Sequence, residues 1–191
     1  MYRDNELAIR PIKKNDLHKI WELVYKEEAP EWKKWDAPYY PHFSMTYGEF
    51  MKEADLWVEE KDRWAVEVNG TFIGVVTYYW EHEPSHWLEI GIILYDSSRW
   101  GKGIGTRALK IWINHLFNTL PLVRVGFTTW SGNQRMIRVG EKLDMTMEAK
   151  IRKVRYYNEK YYDSIRMGML REEWDIYKRD NLHTDVSSLK E

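Results

Sequence analysis

Three glycines at alternate positions, in Trp100-Gly101-Lys102-Gly103-Ile104-Gly105-Thr106, constrain this chain more than any other stretch. They follow an apolar segment, Glu89-Ile90-Gly91-Ile92-Ile93-Leu94, and open a segment in which Ile104, Ala108, Ile111, Trp112 and Leu116 recur at helical spacing. The order is therefore strand, glycine-rich loop, helix. Such a loop leaves backbone N–H groups unpaired at the positive end of a helix dipole, where an anion, most often phosphate, is favoured. A loop without Cβ atoms lets that anion approach the backbone closely.

Spacing narrows the anion. A nucleotide-triphosphate loop needs glycine, four residues, then Gly-Lys-Ser/Thr; here position 96 is Asp and Lys102 is followed by glycine. A dinucleotide fingerprint places its glycines first, third and sixth after an early strand of a parallel sheet, whereas these stand first, third and fifth, late in the chain. A kinase loop fails on the same spacing and lacks its companion motifs.

Composition excludes further classes. The 29 basic and 30 acidic residues nearly cancel, which argues against nucleic acid as the partner. No apolar run reaches the ~18 residues of a bilayer span, so no membrane association is expected. The first residues, Met1 to Glu6, have no apolar core of a signal peptide, and the chain has no cysteine, so the expected compartment is the cytoplasm. At 191 residues the chain suits one domain, expected over 1–178, with a polar tail over 179–191.

Leu7 to Pro11 reads as a strand, Asn15-Asp16 as the cap of a helix carrying Leu17, Ile20, Trp21 and Val24, and Glu28 to Ser44 as a long aromatic loop. Thr46 and Glu49 make a capping box ahead of a second helix with Phe50, Met51, Ala54 and Trp57. Arg63 to Val68 and Thr71 to Trp80, joined by Asn69-Gly70, predict an antiparallel hairpin. Trp87 to Leu94 leads into the glycine loop, a strand spans Val123 to Thr129, a helix Asn133 to Leu143, and two strands, Glu148 to Tyr157 and Tyr161 to Leu170, precede a helical turn at Arg171 to Tyr177. The tail from His183 is expected to fray. The fold class is α/β (α+β), a mixed, mostly antiparallel sheet with helices on both faces.

The motif Trp100-Gly101-Lys102-Gly103-Ile104-Gly105-Thr106 resembles the pyrophosphate loop of the GNAT N-acetyltransferases, which bind acetyl-CoA. The family's usual residue before the first glycine is Gln or Arg. Trp100 in that slot, with Arg99 before it, is similar to the ribosomal-protein N-terminal acetyltransferase branch of RimJ/RimL type. Leu7 to Pro11, Glu89-Ile90-Gly91, Tyr161 to Ile165 and Arg171 to Trp174 resemble other parts of that branch, and together the likeness covers about residues 6–175. Two departures stand out: Met136 replaces a frequent serine, and Arg138 to Leu143 holds no tyrosine to act as general acid.

The resemblance implies direct acetyl transfer from acetyl-CoA to a primary amine, with no metal. It implies coenzyme contacts from Ile92, Ile93, Leu94, Arg99, Trp100, Gly101, Lys102, Gly103, Ile104, Gly105, Thr106 and Asn133. An alkyl amine titrates near ~10, so neutral attack calls for a base, and Glu89 is the candidate; a solvent-facing strand residue or salt bridge is the alternative. The departing thiolate, of pKa ~8.5, needs no dedicated acid. Asn133 either contacts pantetheine or caps its helix. Trp32, Trp35, Tyr39 and Tyr40, with Phe43, are candidates for an acceptor-site lid, or else a structured surface loop, and Glu27, Glu28, Glu31 and Asp36 beside them suit a cationic amine. His82 and His86 flank Pro84 and carry no metal expectation. The acceptor, a protein N-terminus, polyamine or aminoglycoside, stays open, as does a non-catalytic acyl-CoA-binding role. The chain is expected to act as a monomer or homodimer.

Overall fold

The computed structural model describes residues 1–58 and 60–187. Eight strands form one sheet: β1 (Tyr2–Asp4), β2 (Leu7–Pro11), β3 (Arg63–Val68), β4 (Thr71–His82), β5 (Trp87–Leu94), β6 (Arg124–Trp130), β7 (Thr146–Tyr157) and β8 (Lys160–Leu170), in the order β1-β2-β3-β4-β5-β6-β8-β7. All pairs are antiparallel except β5 with β6, which are joined through α3 (Ile104–Thr119). A parallel pair needs such a crossover, whereas the hairpins need only tight turns, as at Asn69 and Gly70, both at positive φ.

Side-chain alternation divides the core in two. Leu7, Ile9, Val66, Val76, Leu88, Ile90, Val125, Phe127, Ile165 and Met167 pack against α3, α4 (Gln134–Lys142) and α5 (Arg171–Ser187). Ala65, Phe72 and Val75 pack on the opposite face against α1 (Leu17–Val24) and α2 (Tyr47–Phe50). Helices therefore lie on both faces of a mixed sheet, as expected. Arg171 ties the layers together: its guanidinium donates to the carbonyls of Phe117, Leu120 and Leu122, satisfying the C-terminal end of α3.

Several local expectations are corrected. Asp16 does not cap α1. Its carboxylate takes two bonds from Arg10, at 2.7 and 2.8 Å, and one from the Lys13 N–H, while Arg10 also donates to Glu67 at 2.7 Å. All three charged side chains are buried, so a buried ion network captures the carboxylate that the local sequence offers to the helix. The Thr46–Glu49 capping box forms, but it opens a single turn of α2, followed by a 3-10 turn at Ala54–Trp57. β1 is an added edge strand, and β4 runs on to His82. The C-terminal helical turn extends through α5 to Ser187, so the frayed tail expected from His183 is helical over 183–187, and 188–191 lie outside the described residues.

Candidate active site and coenzyme cleft

The sheet comes apart at one place. β5 and β6 pair only through Trp87↔Arg124, Leu88↔Val125 and Glu89↔Gly126; beyond Glu89 the strands diverge, and β6 continues against β8 alone. The Tyr95 N–H bonds the Ile73 carbonyl, so odd-numbered residues at this end of β5 direct their backbone toward β4. Even-numbered residues point the other way. The Leu94 carbonyl accepts the Trp100 indole N–H at 2.8 Å, and the N–H and C=O of Ile92 are sent into the gap. Ile93 lines the gap, but its carbonyl faces Gly74 of β4, so of the three residues expected to pair with pantetheine, Ile92 offers the backbone.

The gap widens into a cleft of ≈ 790 Å³ that runs between β5, the glycine loop and α4. That volume falls within the range of small-molecule sites, about 300–1,000 Å³. Gly101 and Gly103 both have φ of +76°, and a Cβ on either would meet nothing within 4 Å: their open sides face empty space. Gly103 forms the N-cap of α3, so the first-turn N–H groups from Ile104 onward are exposed to the cleft. Ile92, Leu94, Arg99, Trp100, Gly105, Thr106 and Asn133 line it as well. The Nε of Arg99 is buried without a hydrogen-bond partner, and Arg99 meets Asp96 at 3.6 Å. Lys102 is exposed and stays outside the lining. Arg135, Arg138 and Lys142 bring the remaining positive charge from α4; none was singled out in sequence, because only the docking of α4 across the cleft places them there. An open, glycine-lined helix N-terminus ringed by cations fits a pyrophosphate.

The aromatic loop is fastened to this cleft. Asn133 uses both ends of its amide: Oδ1 accepts the Met136 N–H, capping α4, and Nδ2 donates to the Trp35 carbonyl at 3.1 Å. The Trp130 indole donates to the same carbonyl at 2.9 Å. The Arg135 guanidinium sits between the Trp35 and Trp100 rings, 4.2 and 4.6 Å from their centroids, a double cation–π contact. Trp32 reaches the cleft wall beside Glu31, Trp35 and Asp36, but most of its ring is packed away from it. It is buried against Tyr95, its indole bonded to the Leu23 carbonyl, because the second core needs its bulk. Tyr39 packs on Trp130, whereas Tyr40 is exposed and touches Tyr39. Glu31 and Asp36 reach the cleft wall, and burial pushes the Asp36 carboxyl up, against the pull of Lys33.

Glu89 lies where the strands part. It is 3% exposed, so it is not solvent-facing, and among the described residues it makes no salt bridge. Tyr79, opposite it in register on β4, donates to one carboxylate oxygen at 2.7 Å; Thr128 of β6 donates to the other at 3.0 Å. Burial, then the adjacent carboxylate, raises the Tyr79 hydroxyl, which stays protonated and remains a donor. Tyr79 and Thr128 went unnoticed in sequence, although the β4–β5 hairpin register could have signalled Tyr79. Among the described residues no group of His, Asp and Glu could hold a metal ion, and no helix is long and apolar enough to cross a membrane.

Residues 6–146 match the family model described as acetyltransferase (GNAT) domain. The spermidine N(1)-acetyltransferase of Escherichia coli K12 is 23% identical over 175 residues, 89% of either chain. The crystal structure of spermidine N-acetyltransferase from Vibrio cholerae in complex with CoA and spermine superimposes with a TM-score of 0.72 at 17% identity, over 90% of this chain and 99% of that one. RimL, a ribosomal L7/L12 alpha-N-protein acetyltransferase in complex with coenzyme A, gives 0.71 at 19% identity, over 87% and 95%. With the glycine loop, the parted strands and the buried carboxylate at their junction in place, the match across residues 6–146 shows that the chain belongs to the GNAT acetyltransferase family.

Proposed function

We propose that this domain, over 1–178, moves an acetyl group from acetyl-CoA to a primary amine by direct attack, in the cytoplasm. The observation that carries the reading is the position of Glu89, a buried carboxylate at the end of the gap that opens toward the glycine loop. The N–H groups of Gly103 to Thr106, with Arg99 and Arg135, hold the pyrophosphate. The Ile92 backbone, facing the gap, aligns the pantetheine amides and leaves a donor near the thioester oxygen. As the amine nitrogen bonds to the acetyl carbon and the carbon–sulfur bond breaks, Glu89 takes the ammonium proton and the thiolate leaves. Tyr79 and Thr128 each donate to one oxygen of that carboxylate and so hold it in a fixed orientation. The aromatic loop at Trp35, Tyr39 and Tyr40 borders the acceptor side. Relatives named for spermidine and for a ribosomal protein N-terminus support amine acceptors as a class.

A thiol-release assay with acetyl-CoA and a panel of primary amines tests this. Amine-dependent release above hydrolysis is expected. Tight acetyl-CoA binding without release would instead make the chain an acyl-CoA sensor.

A further inference from the structure

The sheet face that carries Glu89 is left uncovered by α1 and α2 beyond β5: the core beneath those helices draws no residue from β6, β7 or β8. Strand alternation places Thr128 of β6 and Arg166 of β8 on this face, directly opposite one another in register. Arg166 is half-buried, and among the described residues it makes no hydrogen bond and no ion pair. Its charge is felt by the Tyr79 hydroxyl, the same hydroxyl that bonds Glu89. Of the nearby carboxylates, Glu81 also acts on the Tyr79 hydroxyl but makes no ion pair with Arg166, and three others are engaged elsewhere. Both oxygens of Glu89 are taken by Tyr79 and Thr128, Glu148 by Arg124, and Asp163 by Lys150 and the Lys153 N–H.

A half-buried guanidinium with no anion has given up hydration without return. Its planar fork of donors matches a carboxylate. β6 lies between β5 and β8, so where the three strands still pair, at Glu89 and Gly126, β5 and β8 stand two strand spacings apart, about 9–10 Å, a span on the scale of a small amino acid or the first residue of a peptide.

We propose that Arg166 binds a carboxylate of the acceptor, so that the amine delivered to Glu89 belongs to an amino acid or a peptide with a carboxylate a few bonds from the nitrogen. This rests on the acetyltransferase reading above. A polyamine is the opposite case, since its second cation would meet the guanidinium; the two spermidine enzymes similar to this chain would then differ from it in acceptor.

Matched acceptors decide the matter, with the full chain, acetyl-CoA and thiol release. β-Alanine is set against propylamine, the peptide amide Asp-Ala against Asn-Ala, and spermidine stands alone. Within at least one pair the carboxylate-bearing member is expected to show a KM lower on the order of 10-fold, as for a charge-assisted pair; the first pair reports a free amino acid, the second a peptide. Arg166→Met is expected to collapse that ratio through KM rather than kcat, and Arg166→Lys to restore part of it. Spermidine or the uncharged members being preferred by the unaltered protein would overturn the proposal whatever the variants do. So would an Arg166→Met protein in which kcat falls equally for all acceptors with a displaced pH profile, since Arg166 would then act on Glu89. Acetyl-CoA binding with no transfer to any acceptor would overturn the transferase reading itself, and this proposal with it.

Discussion

Replacing Gly103 separates folding from coenzyme binding. The residue sits at φ +76°, and an ideal Cβ there meets no heavy atom within 4 Å, so a side chain creates no clash inside the protein. The cost to folding is the left-handed backbone alone, about 1–2 kcal/mol for most residues and less for asparagine. At roughly 2–4 °C per kcal/mol for a chain of this size, Gly103→Leu should melt only a few degrees early and Gly103→Asn less. If the loop holds the pyrophosphate as proposed, the side chain enters the space between it and the first-turn N–H groups of α3. Hydrogen bonds to a charged group are worth about 1.5–3 kcal/mol each, so blocking two costs about 3–6 kcal/mol, on the order of 10²- to 10⁴-fold in Kd. Calorimetric titration with coenzyme A reads this directly. Pantetheine, which lacks the pyrophosphate, supplies the control and should bind all three proteins alike. A folded Gly103→Asn protein that binds coenzyme A as tightly as the parent would refute the assignment of the loop.

Three other perturbations test the rest of the site and its support. Glu89→Gln should lower kcat/KM at neutral pH by about 10²- to 10⁴-fold, with partial recovery at high pH as the free amine deprotonates; a pH–rate profile that keeps the parent's shape would exclude Glu89 as the proton acceptor. Arg135→Met removes the cation held between Trp35 and Trp100, and should raise KM for acetyl-CoA by several-fold, with little change in melting temperature. At Asp16 burial alone would raise the carboxyl, but the Arg10 and Lys13 bonds outweigh it and hold it below the usual range. The stability it contributes is therefore complete above an unfolded value of ~3.9 and is lost as pH falls through the lower folded value. Asp16→Ala should cost about 3–5 kcal/mol at neutral pH and flatten the loss of stability below about pH 4; unfolding by denaturant across that range measures both effects.

How much was legible depended on whether the signal was local. Trp87–Leu94 and Arg63–Val68 match their expected spans, because alternation and the Asn-Gly turn are properties of adjacent residues. Asp16 misled for the opposite reason. A helix start was written locally, but Arg10 and Glu67 compete for the same carboxylate through the β2–β3 pairing. The aromatic loop divides for a similar reason: the second core absorbs most of the Trp32 ring, which still borders the cleft, while Tyr40 is exposed.

The sequence by itself determined a glycine-rich loop between a strand and a helix, its spacing, and the mixed sheet around it, since each follows from backbone geometry over a few consecutive residues. Only the tertiary structure decided that β5 and β6 part at Glu89, that Tyr79 and Thr128 hold its carboxylate, that Arg135 sits between two tryptophans, and that Arg166 faces the same side without a hydrogen-bond or ion-pair partner among the described residues. Those relations join residues from 10 to 39 positions apart for the carboxylate, and from 35 to 100 positions apart for the stack. They come from strand register and helix docking, which are set by burial over the whole sheet rather than by any local run of residues.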